Sequence, residues 1–211
     1  MPWRAARRAS SGNVAGGMHF QPLQLDGRQR YTKSMDHPRT FPSQDLIKVR
    51  RLDADDVANY RGIRLEALKN NPEAFGSSWE AEAANPESWW AQRLETNIVL
   101  GGWIDSSPLL GVVGFYVHSG TKVQHKGVLW GMYVRPDARG TGLAACLVRR
   151  VIAQARPLVE EICLTVVASN AAAYRLYSRA GFEQYGLERR ALKIGDAYYD
   201  EALMALPLRR H

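Results

Sequence analysis

The sequence predicts a mixed α/β domain in which about seven strands form one mostly antiparallel sheet, covered by about four helices. Short apolar segments typical of buried strands are interspersed with segments whose apolar residues recur every three or four positions. One helical segment also connects two of the strands, and parallel neighbours need such a crossover. The sheet is therefore expected to combine antiparallel strands with one parallel pair.

The domain is predicted to begin with a strand and two helices. Residues 46–52 alternate between apolar and charged side chains, as a half-buried strand does. Aspartates directly after this strand favour a helix start, and the helix is expected to end at Asn70, before a proline. A second helix is expected from about Pro86 to Glu95.

The rest of the domain is predicted to contain six strands and two helices. The strands are expected at residues 98–104, 109–118, 128–134, 161–167, 183–191 and 198–206. The first three follow one another through short turns, as in a meander. Apolar residues at helical spacing indicate a helix over residues 143–155, and this crossover predicts parallel pairing between strands 128–134 and 161–167.

A glycine-rich bend at residues 139–144 joins a strand to that helix. Gly140 and Gly142 lack a Cβ atom, so the backbone can approach a ligand closely. The first N–H groups of the helix have no acceptor within it, and the helix dipole adds partial positive charge there. Arg139 adds a rigid fork of donors. The bend is therefore predicted to bind an anion, and a pyrophosphate fits it best.

Three known phosphate-binding patterns are relevant to this bend. The pattern G-x-x-x-x-G-K-[ST] of kinases and ATPases is absent. The dinucleotide pattern G-x-G-x-x-A is present as Gly140, Gly142 and Ala145, but the next strand does not end in the acidic residue that binds a ribose. The third, Arg139-x-x-Gly142-x-Ala144, resembles the acyl-CoA pyrophosphate motif [QR]-x-x-G-x-[GA] of the GNAT superfamily of N-acetyltransferases.

A second segment strengthens this resemblance. Residues 170–182 match the superfamily motif N-x-x-A-x-x-L-Y-x-x-x-G-F at every fixed position, and the order and spacing of the two motifs also agree. The chain is similar to GNAT proteins over residues 46–207, most strongly over residues 128–182.

The resemblance implies a GNAT-like sheet whose parallel strands splay apart, with the pantetheine arm of acetyl-CoA in the gap. One backbone N–H of the first strand would face the thioester carbonyl, and Gly131 could relax a bulge there. The implied binding residues are Met132, Tyr133, Val134, Arg139, Gly140, Thr141, Gly142, Leu143, Ala144 and Asn170.

The resemblance also assigns catalytic residues. Tyr177 matches the usual general acid, and a phenol with a pKa near 10 carries its proton at neutral pH. Asn170 matches a residue that contacts the pantetheine arm or shapes the site, and it is also a good helix N-cap. The strand before the bend lacks the glutamate that many members use as a base, and no metal ion is expected. Either water relays the proton to a more distant group, or the acceptor arrives neutral. The candidates for the more distant group are Glu80, His118, Glu188 and Asp200.

Two functions follow from these assignments. The first is acetyl-CoA-dependent acetylation of a primary amine, by direct transfer, on a small molecule or on a protein or peptide. The second is a non-catalytic acyl-CoA-binding regulatory module that keeps the cleft without turnover. The acceptor is not readable from the sequence, but its pocket is expected to involve Phe75, Trp79, Tyr198 and Tyr199.

The charge is unevenly distributed between the N-terminal residues and the rest of the chain. Residues 1–45 carry +4 of the net charge of +7 and show no strand or helix periodicity, so they are predicted to be a disordered basic tail before an N-acetyltransferase domain at 46–211. The alternatives for this tail are a transit peptide, a basic arm for nucleic acid, or a true start at Met18 or Met35. The domain itself is only mildly basic, which suits CoA and does not require nucleic acid.

Cysteine content and hydropathy indicate where the protein acts. The longest apolar run, residues 108–117, is too short to span a bilayer, so no membrane partner is expected. Two cysteines, Cys146 and Cys163, make no disulfide framework and are expected as buried small hydrophobes. These features favour a cytoplasmic protein, and exposed sheet edges allow a monomer or a homodimer.

Overall fold

The computed structural model describes residues 46–208. The predicted tail at residues 1–45, and with it the start positions at Met18 and Met35, lies outside the described residues, as do residues 209–211. In the part that is described, no helix is long and apolar enough to cross a membrane.

All seven predicted strands and all four predicted helices are present, with small shifts at their ends. The strands are β1 Ile47–Arg51, β2 Ile98–Ile104, β3 Gly111–Val117, β4 Lys126–Val134, β5 Glu161–Val167, β6 Glu183–Ile194 and β7 Ala197–Pro207. The helices are α1 Val57–Asn70, α2 Trp79–Ala83, α3 Glu87–Thr96, α4 Leu143–Ala155 and α5 Ala171–Arg179. The short helix α2 was not predicted; it begins after Ser78, whose hydroxyl accepts a hydrogen bond from the N–H of Ala81.

The strands form one sheet in the order β1-β2-β3-β4-β5-β7-β6. Among the strands of residues 46–208, only β4 and β5 are parallel, and their pairing ends at Val128 and Cys163. Beyond these residues β4 continues to Val134 and β5 to Val167 without pairing to each other. The predicted splayed pair is thus confirmed, and it opens a gap in the middle of the sheet.

A β-bulge lies in β4 at the start of this gap. Val112 pairs with Tyr133 and Gly114 with Trp130, so two residues of β4 oppose one residue of β3. Gly131, in the bulge, has a φ of +63°, which glycine adopts at little cost. The predicted bulge at Gly131 is confirmed, and it bends the strand just before the residues expected to face the ligand.

Two apolar cores cover the two faces of the sheet. On one face the buried side of α4 packs with α5 against β3, β4 and β5. Glycines in β2 and β3 let α4 approach closely, because a Cβ atom on Gly102 would lie 2.7 Å from the Leu143 side chain and one on Gly111 2.9 Å from Leu147. On the other face α1 and α3 pack against the sheet through Tyr60 and Trp90.

Both cysteines are unpaired thiols. They were expected to be buried, but both are only half-buried. Burial, together with the nearby carboxylate of Glu161, raises the pKa of the Cys163 thiol to about 11. This thiol therefore carries its proton at neutral pH.

Candidate functional site

A cleft of about 830 Å³ opens where β4 and β5 separate. Its walls are the end of β4, the bend before α4, helix α5 and the loop after α1. Eight of the ten predicted binding residues line it: Met132, Tyr133, Val134, Arg139, Gly140, Gly142, Ala144 and Asn170. The fold thus brings the two sequence motifs together around one cavity.

The other two predicted binding residues hold the bend from behind. The Thr141 hydroxyl donates a 2.7 Å hydrogen bond to the carbonyl of Ala138, which closes the bend. Leu143 is fully buried and anchors the first turn of α4 in the core. Neither of these two side chains lines the cleft.

The bend presents open backbone to the cleft. Gly140 and Gly142 have φ values of +81° and +94°, in the left-handed region that favours glycine. A Cβ atom on Gly140 would meet no protein atom within 4 Å, so the space beside it is open. Helix α4 begins directly after Gly142 and no side chain caps it. The N–H of Leu143 donates a long hydrogen bond of 3.4 Å to the Thr141 hydroxyl, and the next N–H groups, those of Ala144 and Ala145, are available to an anion.

Arg139 links this bend to β4. Its Nε donates a hydrogen bond of 3.1 Å to the carbonyl of Val134, while its guanidinium lies 5.9 Å from the centre of the Tyr133 ring. One donor thus fixes the side chain in place. The two terminal nitrogens remain to bind an anion in the cleft.

Positive charge is concentrated around the cleft. Of the residues that the structure describes, four arginines line it, at positions 139, 149, 175 and 179, against a single carboxylate, that of Glu73. A mildly basic domain therefore carries a strongly basic cavity, which suits a ligand with several phosphate charges.

A family model described as "Acetyltransferase (GNAT) family" matches residues 64–182, more than half of the 211 residues. The chain belongs to the GNAT acetyltransferase family. The protein is therefore an acyltransferase, and its acyl donor is acetyl-CoA, the cosubstrate of this family.

Solved structures show the same GNAT fold. One is yncA, a putative acetyltransferase from Salmonella typhimurium with its cofactor acetyl-CoA; it has a TM-score of 0.66 and 22% identity, covering 78% of this chain and 95% of its own. The ribosomal-protein-alanine N-acetyltransferase from Brucella melitensis has a TM-score of 0.63 and 21% identity, covering 76% and 99%. An N-acetyltransferase from Staphylococcus aureus Mu50 has a TM-score of 0.66 and 20% identity, covering 77% and 99%.

Tyr133 of this GNAT protein is fixed by α1. Its hydroxyl donates a hydrogen bond of 3.0 Å to Glu66, which also accepts one of 3.0 Å from Arg135. Burial raises the pKa of Tyr133, and the Glu66 carboxylate raises it further. The phenol therefore stays protonated and holds the end of β4 against α1. Glu66 could not be predicted from the sequence, because no local pattern links it to a residue 67 positions away.

The predicted catalytic residues lie at different depths. Asn170 lines the cleft, and its side-chain oxygen caps α5 by accepting a hydrogen bond of 3.1 Å from the N–H of Ala173. Tyr177 is only 5% exposed and packs edge-to-face on Phe182, with ring centres 5.8 Å apart. It does not line the cleft, although its helix neighbours Ala173, Leu176 and Ala180 do. Burial raises the pKa of Tyr177 well above its ordinary value of 10.0.

None of the four residues named as candidate bases lines the cleft. Glu80 and Glu188 are exposed, His118 packs on Tyr116, and Asp200 accepts a hydrogen bond from the N–H of Arg190. The carboxylate that does line the cleft is Glu73, in the 3-10 turn Pro72–Ala74 after α1. Glu73 was not among the predicted site residues, although it lies in the segment that holds Phe75.

Only one of the four residues expected at the acceptor pocket lies in the cleft. Phe75 lines the cleft, whereas Trp79, Tyr198 and Tyr199 do not. Trp79 and Tyr198 are 40% and 45% exposed, and Tyr198 lies under the guanidinium of Arg190. Of the four, only Phe75 lies where an amine could meet the cleft.

Proposed function

We propose that this GNAT protein transfers the acetyl group of acetyl-CoA directly to a primary amine, on a small molecule or a protein, in the cleft between β4 and β5. One observation carries the proposal. The open backbone of the bend, the uncapped start of α4 and four arginines all face the same cavity that the splayed strands open.

The bend would hold the diphosphate of acetyl-CoA. The left-handed glycines keep side chains out of the way, and the N–H groups of α4 and the fork of Arg139 supply donors. Arginines 149, 175 and 179 add charge along α4 and α5. This arrangement fits a ligand whose phosphates make most of its polar contacts.

The free edge of β4 would hold the pantetheine arm. Beyond Val128, β4 has no partner strand on the side of β5, so the backbone of residues 132–134 can pair with the amides of the arm. The N–H groups that follow the bulge at Gly131 would face the thioester carbonyl. A donor fixed at that point stabilises the negative charge that develops on the oxygen during transfer.

Two side chains would move the protons. Formation of the new C–N bond releases a proton from the amine, and Glu73 would receive it, directly or through a water molecule. Breaking the C–S bond leaves a thiolate, and Tyr177 would protonate it. The raised pKa of Tyr177 keeps the phenol protonated for this step. Asn170 would fix the start of α5 and donate its amide N–H groups to the pantetheine arm.

We further propose that residues 46–211 form the catalytic domain and that residues 1–45 are a separate tail. The enzyme is proposed to act in the cytoplasm as a monomer or a homodimer, without a nucleic-acid partner. Its two unpaired cysteines are compatible with a reducing compartment.

The test is a pair of measurements on the full chain. Isothermal titration with acetyl-CoA should give saturable binding, and a colorimetric thiol assay should show CoA release with at least one member of a panel of primary amines. Saturable binding without thiol release from any amine would favour the regulatory module instead. No saturable binding would overturn the proposed site.

A further inference from the structure

A second group of charged and aromatic residues lies on the other side of the bulge, between α1, α2 and α3. Arg64 donates two hydrogen bonds to Glu82, of 3.0 and 2.7 Å, and both side chains are about 5% exposed or less. Arg93 lies 3.5 Å from the same carboxylate. The cluster therefore contains two cations, Arg64 and Arg93, and one anion, Glu82. Arg64 already binds both oxygens of that anion.

The same cluster contains donors without partners. Among the described residues, three buried side-chain donors that make no hydrogen bond lie here: Arg64 Nη1, Trp90 Nε1 and Trp130 Nε1. All three can only donate. The Tyr60 hydroxyl lies beside Arg93, which can donate to it. Buried donors beside an excess positive charge would suit an oxygen-bearing, negatively charged group.

A pocket of about 350 Å³ reaches one edge of this cluster, at Arg93 and Trp130. It is lined by Trp89, Gln92, Arg93, Thr96, Asn97, Tyr116 and Trp130. The guanidinium of Arg93 lies 4.7 Å from the ring centre of Trp89 and 4.5 Å from that of Trp130. Contact with the two indoles fixes its orientation, and its side chain remains 17% exposed. A guanidinium has five N–H donors, so Glu82 leaves several of them for a ligand.

The pocket reaches β4 one residue before the bulge, and so lies next to the point where acetyl transfer is proposed. Trp130 lines the pocket and directly precedes Gly131, the residue of the bulge. Arg64 Nη1 lies 3.7 Å from where a Cβ atom on Gly131 would be. A small molecule held in this pocket would therefore have one end beside the bulge.

We propose that this pocket binds the carboxylate of the acceptor, so that the acceptor is a small amino acid or a related molecule with both an amine and a carboxylate. Arg93 would receive the carboxylate, and the rings of Trp89, Tyr116 and Trp130 would cover the apolar part. This inference rests on the proposed function, because it assigns the acceptor of the same reaction. It makes a lysine side chain or a protein N-terminus the less suitable acceptor, since neither carries a carboxylate beside the amine.

The test compares matched amines on the full chain. Each amino acid is paired with its carboxamide and its decarboxylated amine, for example L-phenylalanine, L-phenylalaninamide and 2-phenylethylamine, at equal concentrations of unprotonated amine. We expect kcat/KM for the acid to exceed that of its partners by about 10- to 100-fold, the range for hydrogen bonds to a charged group. The variant Arg93→Gln should bring the ratio of kcat/KM for the acid to that for the amide down to about 1. Glu82 keeps its bonds to Arg64 in this variant, so the fold should be retained.

A control and a second readout separate the two proposals. Arg61→Gln, at an exposed arginine of α1, should leave the preference for the acid unchanged. Tryptophan fluorescence, recorded with CoA present, should show saturable binding of the acids but not of the amides, and Arg93→Gln should abolish it. If some amine is acetylated without preference for the acid, the carboxylate site is wrong and the proposed function stands. If no amine is acetylated, the proposed function fails, and the fluorescence titration alone decides whether the pocket binds carboxylates.

Discussion

Arg64 and Glu82 form a buried ion pair that joins α1 to α2 across 18 positions of the sequence. Each residue is 3% exposed, and the two hydrogen bonds are parallel, as in a bidentate contact. A helix as short as α2 is not stable alone in water. The contact with Arg64 is therefore a main reason why α2 forms at this position.

The first prediction concerns this pair. Replacing Glu82→Gln leaves the Arg64 charge buried without its partner, which should cost about 3–5 kcal/mol of unfolding free energy. Glu80→Gln, on the exposed side of the same helix, should change the free energy by less than about 0.5 kcal/mol. Urea unfolding at pH 7 measures both. Equal stability of the two variants would show that the pair does not hold α2.

The pH dependence of stability follows from the same pair. Burial raises the pKa of Glu82, but the hydrogen bonds and charge of Arg64, with the charge of Arg93, outweigh burial and bring the pKa below its ordinary value of 4.5. A lowered pKa stabilises the folded protein fully above pH 4.5, and this stabilisation is lost as the pH falls through the folded-state pKa. The difference in stability between wild type and Glu82→Gln should therefore shrink below pH 4.5.

The second prediction concerns Gly140. An alanine at its φ of +81° should destabilise the protein by about 1–2 kcal/mol, and its methyl group should occupy the space of the diphosphate. Loss of hydrogen bonds to a charged group should weaken acetyl-CoA binding about 10- to 100-fold. Gly195→Ala is a matched control, because Gly195 also has a positive φ and no atom within 4 Å, but lies in the β6–β7 turn. Titration calorimetry should show a changed Kd for the first variant only.

The third prediction concerns Arg139. The variant Arg139→Gln removes both terminal donors from the cleft, so the Kd for acetyl-CoA should rise about 10- to 100-fold. Arg156→Gln, at an exposed arginine after α4, should leave the Kd unchanged. Because phosphate charges are involved, raising the salt concentration should weaken binding by the wild type more than by Arg139→Gln. A salt dependence that is the same in both proteins would argue against a phosphate contact.

The fourth prediction concerns Tyr177. Its hydroxyl makes no hydrogen bond within the described residues, so Tyr177→Phe should change stability by less than about 1 kcal/mol. If the phenol protonates the leaving thiolate, kcat should fall by about 10²- to 10⁴-fold with an unchanged Kd for acetyl-CoA. Tyr174→Phe, on the same helix, is the control. Unchanged kcat in Tyr177→Phe would assign the residue to the core alone. In the wild type the pKa of Tyr177 is raised above its ordinary value of 10.0, so the phenol should keep its proton up to that pH. Activity should therefore not be lost through deprotonation of Tyr177 below pH 10.0.

The fifth prediction concerns Glu73. The variant Glu73→Gln should lower kcat by about 10²-fold or more, because the amine loses its proton acceptor. Its Kd for acetyl-CoA should stay within about threefold or become lower, since the substitution removes a negative charge from a cleft that binds phosphates. Glu80→Gln, which lies outside the cleft, should retain wild-type kcat. Full activity of Glu73→Gln would show that Glu73 is not the base, and that a residue outside the cleft or water accepts the proton.

The sequence by itself determined the order of the elements and the backbone of the cofactor site. Strand and helix periodicity located all seven strands and the four longer helices, since side chains repeat every two residues in a strand and about every 3.6 in a helix. The bend at Gly140 and Gly142 and the bulge at Gly131 were also readable. Each depends on a positive φ that glycine adopts at little cost, and this is a property of the residue and its immediate neighbours.

Only the tertiary structure decided which side chains meet. Glu73 faces the cleft because the turn after α1 folds over β5, and Tyr177 lies behind the wall of the cleft because α5 turns that side toward the core. Arg93 reaches Glu82 and Trp130 because α3 packs with α1 on the face of the sheet that holds Trp130. Such contacts depend on how helices pack on the sheet. Packing brings together residues far apart in the sequence, and no local pattern along the chain encodes their distance.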